Sequence, residues 1–312
     1  MHSITHIINP VAAKAGTELD ICQPIVFESL RRAKNNAAGY VQIELCTVQY
    51  AEDRTVIPDY FIVYPDLQRS TNDLGFANNR KLPFIKEILE SAYRNSGSEY
   101  IIYSNADIAV MPYFYTAVNE IIEQGYDGFI INRRGISGKY TSISELELMY
   151  SDIGTPHIGY DCFVFKRELF PQFILADVCT GIPHAWTDVA NNLFCFSTKF
   201  KLFTQKHLTF HIGMELYKNW GGNELCAHNK REYMKVLKQL KPHFKIENMP
   251  GSGLGIFRRH FKWLMNPTFH YPTMFWLDFS HLSHKRPPPE KNELKTAKNK
   301  YLQWLVKHIN FD

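Results

Sequence analysis

Residues 99–110 read Glu-Tyr-Ile-Ile-Tyr-Ser-Asn-Ala-Asp-Ile-Ala-Val, an apolar run that a short polar segment interrupts. Runs rich in β-branched and aromatic residues are typical of buried strands, so we predict a strand here. Polar residues at the end of such a strand lie where open α/β sheets bind ligands. Asn105 and Asp107 are two residues apart, so in an extended segment their oxygens point to one side. Together these oxygens can hold a divalent cation and a diphosphate.

The polar tetrapeptide at residues 104–107 also has a simpler interpretation. Asn and Asp side chains often bond to their own backbone in the turn that follows a strand. Asp107 also suits the N-cap of a helix that begins near Pro112. For the tetrapeptide alone, a turn or cap is the better interpretation, so the rest of the chain has to decide.

Strand and helix patterns alternate ahead of this segment. We predict a strand at residues 5–11, a helix at 23–36 and a second strand at 41–48, the βαβ order of a parallel sheet. Asn9 falls at the end of the first strand, because Pro10 stops its pairing. A further helix, predicted at residues 83–95, leads into the central segment.

Composition excludes several classes of protein. The chain has 312 residues, 45% of them hydrophobic, and its net charge of +4 is too mild to indicate a nucleic-acid partner. The six cysteines form no C-x-x-C pair, which suits reduced thiols in a cytoplasmic protein. We see no signal peptide at the N-terminus and no apolar stretch near the ~20 residues that a membrane-spanning helix needs.

The character of the chain changes after residue 220. A basic amphipathic helix is predicted at residues 224–240, and residues 256–279 mix cations such as Arg258 and Lys262 with many aromatic residues. This composition is typical of a segment that lies on a membrane surface. Ordinary packing of a C-terminal extension over the preceding domain explains it as well, and we favour that alternative.

Taken in order, these stretches resemble a GT-A-type glycosyltransferase. In that family, a Rossmann-like, mostly parallel sheet flanked by helices binds a sugar nucleotide. One strand ends in an Asp-x-Asp motif that holds a divalent metal and the diphosphate. The resemblance is carried by residues 80–83 with the helix that follows them, by residues 103–107 at the motif position, and by residues 208–213, a late strand that contains His211.

The resemblance implies two sets of binding residues. The nucleotide-sugar set is Asn9, Arg80, Lys81, Asn105 and Asp107. The metal set, for Mn²⁺ or Mg²⁺, is Asp107, Asn105 and His211. The chain departs from the motif at Asn105, whose amide oxygen can ligate a hard cation but carries no charge. Asn105 therefore contacts either the metal through water or the ribose, and the enzyme is expected to be metal-dependent through Asp107.

Two acids compete for the role of general base. Inverting transfer needs a carboxylate that takes the proton of the acceptor hydroxyl. Asp161 precedes an apolar strand, and Asp188 lies at the start of a predicted helix. The structural alternatives are a turn residue for Asp161 and an N-cap for Asp188. We rank Asp161 slightly ahead, because a carboxylate before an apolar strand is otherwise poorly explained.

The leading hypothesis is a cytoplasmic glycosyltransferase, peripheral at the inner membrane face if its C-terminal segment binds lipid. Residues 1–220 would form the GT-A-like catalytic domain and residues 221–312 a helical extension. The acceptor would be a hydroxyl of a glycan or a lipid-linked glycan. An inactive sugar-nucleotide- or glycan-binding protein is the main alternative, motivated by Asn105. A nucleotidyltransferase ranks last, because residues 9–16 are a poor version of its glycine- and lysine-rich loop.

Overall fold

The computed structural model divides into two compact units, Met1–Ser252 and Gly253–Asp312. The described residues are 1–77, 80–157, 159–213, 223–265 and 271–285. The sequence predicted a division after residue 220, whereas the structure places the next helix, Asn223–Leu240, in the first unit. Residues 286–312, the end of the predicted helical extension, lie outside the described residues.

Eleven strands occur in the described part of the chain. They are β1 (Ser3–Ile8), β2 (Gln42–Thr47), β3 (Ile62–Val63), β4 (Tyr100–Ser104), β5 (Ala109–Val110), β6 (Gly128–Ile131), β7 (Arg134–Ile136), β8 (Thr155–Pro156), β9 (Cys162–Lys166), β10 (Phe200–Phe203) and β11 (Thr209–Ile212). Seven form the central sheet in the order β10-β6-β9-β4-β1-β2-β3, and four form a small sheet in the order β5-β11-β7-β8. Among the described strands of the central sheet, only β9 runs against its neighbours. The predicted mostly parallel α/β architecture is confirmed.

Helices flank this sheet in the first unit, and the second unit contains further helices. They are α1 (Glu18–Asn36), α2 (Ile85–Asn95), α3 (Phe114–Glu123), α4 (Leu146–Ser151), α5 (Ala185–Phe196), α6 (Asn223–Leu240), α7 (Ile256–Met265) and α8 (Tyr271–Lys285). None of the described helices is long and apolar enough to cross a membrane. α1 begins at Glu18, earlier than predicted, so Pro24 lies inside the helix, where proline is rare.

The central segment does not form a single strand. β4 ends at Ser104, and a turn follows in which the Ile108 amide donates to the Asn105 carbonyl over 3.1 Å. β5 then joins the small sheet, where Ala109 pairs with Phe210 of β11. The expectation of an extended segment with Asn105 and Asp107 on one side is therefore wrong. The backbone turns between the two residues, so the contacts of Asp107 depend on β11, which pairs with β5.

A buried histidine lies directly beneath this turn. His6 of β1 is fully buried, with Nδ1 2.8 Å from the Tyr115 hydroxyl and Nε2 2.8 Å from the Ser104 hydroxyl. Burial lowers the pKa of His6 to about 3. The imidazole is therefore neutral at physiological pH and ties the last residue of β4 to β1 and α3.

This histidine makes the stability of the fold depend on pH. Because the folded pKa lies below the unfolded value of ~6.5, the His6 contribution is complete above pH ~6.5 and is lost as pH falls towards 3. We expect the free energy of unfolding to fall by about 1.4 kcal/mol per pH unit from this group between about pH 6 and 4. Denaturant unfolding of the parent and of His6→Gln measures it. His6→Gln should lose this slope, whereas replacing the exposed His243 by Gln should not change it.

Candidate functional site

The order of the strands brings several polar residues to one edge of the central sheet. From β1 the chain proceeds to β2 and β3 on one side, and then returns to β4 on the other. The crevice between β1 and β4 is thus a topological switch point, where sheets of this type bind ligands. Asn9 follows β1 and Asn105 follows β4, so both lie at this crevice. Because β9 is antiparallel, the residue before its start, Asp161, reaches the same edge.

Asp107 and His211 meet at this edge. β11 pairs with β5 immediately after the turn, so His211 comes to lie beside Asp107. His211 Nε2 is 3.4 Å from Asp107 Oδ2, and His211 Nδ1 is 3.2 Å from the Gly213 carbonyl oxygen. Since a carbonyl only accepts, Nδ1 carries a proton and donates to it, which fixes the ring and directs Nε2 at the carboxylate. A histidine held in this way is the usual arrangement of a metal ligand.

The surroundings of Asp107 fit a divalent cation. Its Oδ1 atom is buried and makes no hydrogen bond within the described residues, while the side chain as a whole is 25% exposed. A third donor comes from α1, where Glu18 Oε1 lies 3.5 Å from His211 Nε2. Carboxylate, amide and imidazole groups suit Mn²⁺ or Mg²⁺. Within the described ranges, no group of three or more His, Cys, Asp or Glu side chains is arranged to hold a metal. Asp107 and His211 could thus hold a metal only if Glu18, Asn105 or a bound ligand completed the set of donors.

Asp107 is ionised at neutral pH. Burial by itself raises the pKa of this carboxyl, but His211 and Arg133 hold the pKa below its usual value. A charged carboxylate therefore lies at this edge, and its Oδ1 makes no hydrogen bond within the described chain. Such a group could ligate a cation.

Asp161 is engaged in a buried ion pair. Its Oδ1 accepts from Arg133 Nη1 over 3.0 Å, and its Oδ2 lies 3.4 Å from His157 Nδ1. Burial opposes the charge of this carboxylate, but Arg133 and then His157 lower its pKa below the usual value. A carboxylate with a lowered pKa is a weak base, so the geometry favours a structural role in holding Arg133. Its predicted catalytic role stays a prediction.

Breaking this ion pair should be costly. Replacing Arg133 by Met leaves the Asp161 charge uncompensated in the interior, which we expect to reduce the free energy of unfolding by about 3–5 kcal/mol. Chemical denaturation of the purified variant measures this loss. The matched control is Arg94→Met, which removes an arginine 71% exposed in its pair with Glu90 and should cost less than about 1 kcal/mol. Equal losses in the two variants would contradict the assignment.

Asp188 has the opposite environment. It lies in the first turn of α5 and is fully buried, and neither oxygen makes a hydrogen bond of normal geometry within the described residues. Burial raises its pKa well above the usual value. Two residues earlier, the Trp186 ring lies 5.7 Å from the Tyr103 ring of β4, centroid to centroid. The raised pKa makes Asp188, once ionised, the stronger base of the two carboxyls. The predicted catalytic role of Asp188, like that of Asp161, stays a prediction.

Two of the remaining predicted binding residues, Asn9 and Lys81, lie on the β2 side of the crevice. Asn9 Nδ2 donates to the Val48 carbonyl over 2.7 Å, so its amide joins the ends of β1 and β2. The Lys81 ammonium pairs with Glu52 and lies 3.9 Å from the centroid of the Tyr50 ring. Arg80 is exposed and Asn105 is half-buried. The structure thus divides the predicted set into a group near β2 and the Asp107 group at β4.

A cavity of about 250 Å³ adjoins the loop after β1. Val11 of this loop, Phe27 of α1 and Tyr60 are among its lining residues. Asp20 also lines it, two residues after Glu18 at the start of α1. Gln23 and Glu28 complete the polar part of its lining, and the two aromatic side chains suit a flat ring.

Solved structures with a similar fold are known. S. aureus TarS residues 1–349 in complex with UDP-GlcNAc matches with a TM-score of 0.50 and 9% identity, over 83% of this chain and 69% of that chain. The fold is similar to that of TarS. The complex of the same TarS residues with UDP gives a TM-score of 0.47 and 8% identity, over 83% and 68% of the two chains. No family model and no curated protein matches the sequence. The TarS comparison therefore concerns the fold alone.

Two residues of the site were missed from the sequence. Glu18 looked like an ordinary acid in the first turn of a helix, and no pattern connected it with His211. Asn132 follows β6 and donates to the His157 carbonyl over 3.2 Å, while its Oδ1 is buried without a hydrogen bond within the described residues. Its position directly after the apolar run at residues 129–131 was the available signal. Asn132 therefore adds a second unused acceptor in the same region as Asp161.

Proposed function

We propose that this protein is a glycosyltransferase that moves a sugar from a nucleoside-diphosphate sugar to an acceptor hydroxyl. The observation that carries the proposal is the Asp107–His211 pair, which lies at the topological switch point with a buried, unused carboxylate oxygen. The order of motifs resembles GT-A enzymes, and the fold is similar to that of TarS, which was solved with UDP-GlcNAc. These likenesses support a nucleotide sugar as donor.

Each side of the crevice would hold one part of the donor. The nucleoside would lie towards Asn9 and the cavity beside the β1 loop, with Lys81 and Arg80 near the phosphates. Asp107, His211 and Asn105 would bind Mn²⁺ or Mg²⁺. When bound, the metal offsets negative charge on the departing diphosphate. Asp107 contributes its charge to this binding, and the fixed ring of His211 orients the site.

Asp188 would act as the general base of an inverting transfer. Its carboxylate takes the proton of the acceptor hydroxyl while that oxygen bonds to the anomeric carbon. The bond from the anomeric carbon to the diphosphate oxygen breaks, and the nucleoside diphosphate leaves. Because Asp188 is fully buried, the segment before α5 has to move before the acceptor reaches it. Asp161 would keep Arg133 in place at the same edge.

For the acceptor and the location, the support comes from composition. We propose a glycan or lipid-linked glycan as acceptor and the cytoplasm as location, with a peripheral contact to a membrane surface. All six cysteines are free thiols and five are buried, in keeping with a reducing compartment.

The direct test uses the purified full chain. UDP-, GDP- and CMP-sugars are offered with and without Mn²⁺, and release of the nucleotide is measured together with titration calorimetry of the free nucleotides. We expect release from one nucleotide class, stimulated by the metal. The proposal is refuted if no nucleotide class gives either turnover or binding.

A second candidate is a sugar-nucleotide-binding protein without activity. It is favoured by Asn105, which leaves the motif with one carboxylate. This candidate predicts that UDP binds equally well after metal is removed with a chelator and that no sugar is released. The same calorimetry therefore separates the two functions.

A further inference from the structure

The second unit presents an apolar face to solvent. On α7, the residues Phe257, Phe261, Leu264 and Met265 are all exposed, and Phe257 is 89% accessible. Their spacing of i, i+4, i+7 and i+8 places them on one side of the helix. Trp263 is buried on another side, so α7 has an inward face and a separate apolar outward face.

α8 repeats this division. Phe275, Trp276 and Phe279 are exposed, whereas Met274 and Leu277 are buried. The inward side also contains Asp278, which is fully buried and bonds to Arg259 over 2.6 Å and to His260 over 2.8 Å. Each helix therefore has buried residues on its inner side, and the exposed aromatic residues are additional to them.

The charges beside the apolar faces have one sign. Arg258 and Lys262 are exposed on α7, next to its apolar side. Asp278 is the one acidic residue in the sequence from 253 to 285, and its charge is used within the unit. The exposed surface of the described part of this unit thus combines cations and large aromatic side chains without an exposed acid.

We propose that this surface, the exposed sides of α7 and α8 with Arg258 and Lys262, binds the headgroup region of an anionic lipid bilayer. Phenylalanine and tryptophan side chains partition into this zone, and cations are attracted to anionic lipid. A second copy of this chain is a poorer occupant, because two-fold pairing of the face sets the cations of both copies near each other. The inference does not rest on the proposed glycosyl transfer.

Vesicle flotation of the full chain tests the proposal without any nucleotide sugar. We expect binding to phosphatidylcholine vesicles that contain about one-third phosphatidylglycerol, little binding to phosphatidylcholine alone, and loss of binding as salt rises. Phe257→Ser with Phe261→Ser should weaken the partition coefficient at least ~10-fold. Arg258→Gln with Lys262→Gln should weaken it about 10- to 30-fold on anionic vesicles.

The matched control changes two exposed apolar residues of the first unit. Leu148→Ser with Ile153→Ser removes side chains that are similarly exposed and should leave binding unchanged. Circular dichroism checks that each variant is folded. If the Phe257→Ser, Phe261→Ser variant is unfolded, the Arg258→Gln, Lys262→Gln variant still tests the proposal. The proposal is overturned if the parent does not bind or if all variants bind equally. It is also overturned if the parent is a dimer that the Phe257→Ser, Phe261→Ser variant converts to a monomer.

Discussion

Asp107→Asn is expected to reduce kcat/KM for glycosyl transfer about 10²- to 10³-fold, a loss of ~3–4 kcal/mol of transition-state stabilisation. The change keeps the shape of the side chain and removes the charge that His211 and Arg133 maintain in the folded protein. It should also weaken Mn²⁺ binding by at least ~10-fold, because a neutral amide is a poorer ligand for a hard cation. Steady-state kinetics and calorimetric titration with Mn²⁺ measure the two effects separately.

The comparison variant is Asn105→Ala, which removes the uncharged member of the proposed metal set. Asn105 is half-buried at the same turn but has no charge, so we expect a loss of activity below ~10-fold. If Asp107→Asn retains both activity and Mn²⁺ affinity, Asp107 is a turn residue and the metal assignment is wrong. If activity disappears but Mn²⁺ affinity is unchanged, Asp107 contacts the donor directly.

Much of the fold was predictable because it depends on local patterns. Apolar runs of strand length alternate with helical periodicity, and this alternation correctly indicated a mostly parallel sheet. The small sheet was not predictable in the same way. β5 has only two residues, and its place follows from pairing with β11, which lies far away in the sequence. A strand this short has no pattern of its own, so residues 105–110 were read as a continuation of β4.

The site was predictable where a residue type coincided with the end of an element. Asp107 and His211 were chosen in this way, and the structure places them in contact. Contacts from other parts of the chain decided the rest. The sequence contains no sign that Arg133 would neutralise Asp161, or that α5 would bury the Asp188 carboxyl without a hydrogen bond of normal geometry to the described residues. Both acids lie near the start of an element and both are buried, so it is the partners Arg133 and His157 of Asp161 that give the two carboxyls opposite pKa shifts.

Asp188→Asn is expected to lower kcat about 10²- to 10⁴-fold, the usual contribution of a general base, while the donor KM changes less than ~3-fold. The same variant should not lower the stability of the fold, although it lowers kcat. Burial raises the folded pKa of Asp188 above the unfolded value of ~3.9, so ionisation destabilises the fold as pH rises beyond that value. Asparagine resembles the protonated acid and never ionises. The variant should therefore be at least as stable as the parent at pH ~8, although it is nearly inactive.

Asp161→Asn serves as the comparison, because it tests the acid that the sequence ranked first. It leaves Arg133 buried without its counter-ion, so we expect lower stability but less than ~10-fold loss of kcat per folded molecule. Kinetics and unfolding curves of both variants at several pH values are needed. A stable, active Asp188→Asn would remove Asp188 from the mechanism. Loss of activity in Asp161→Asn alone, with the fold intact, would instead make Asp161 the base, since a buried ion pair that serves only the fold affects kcat through the folded fraction alone.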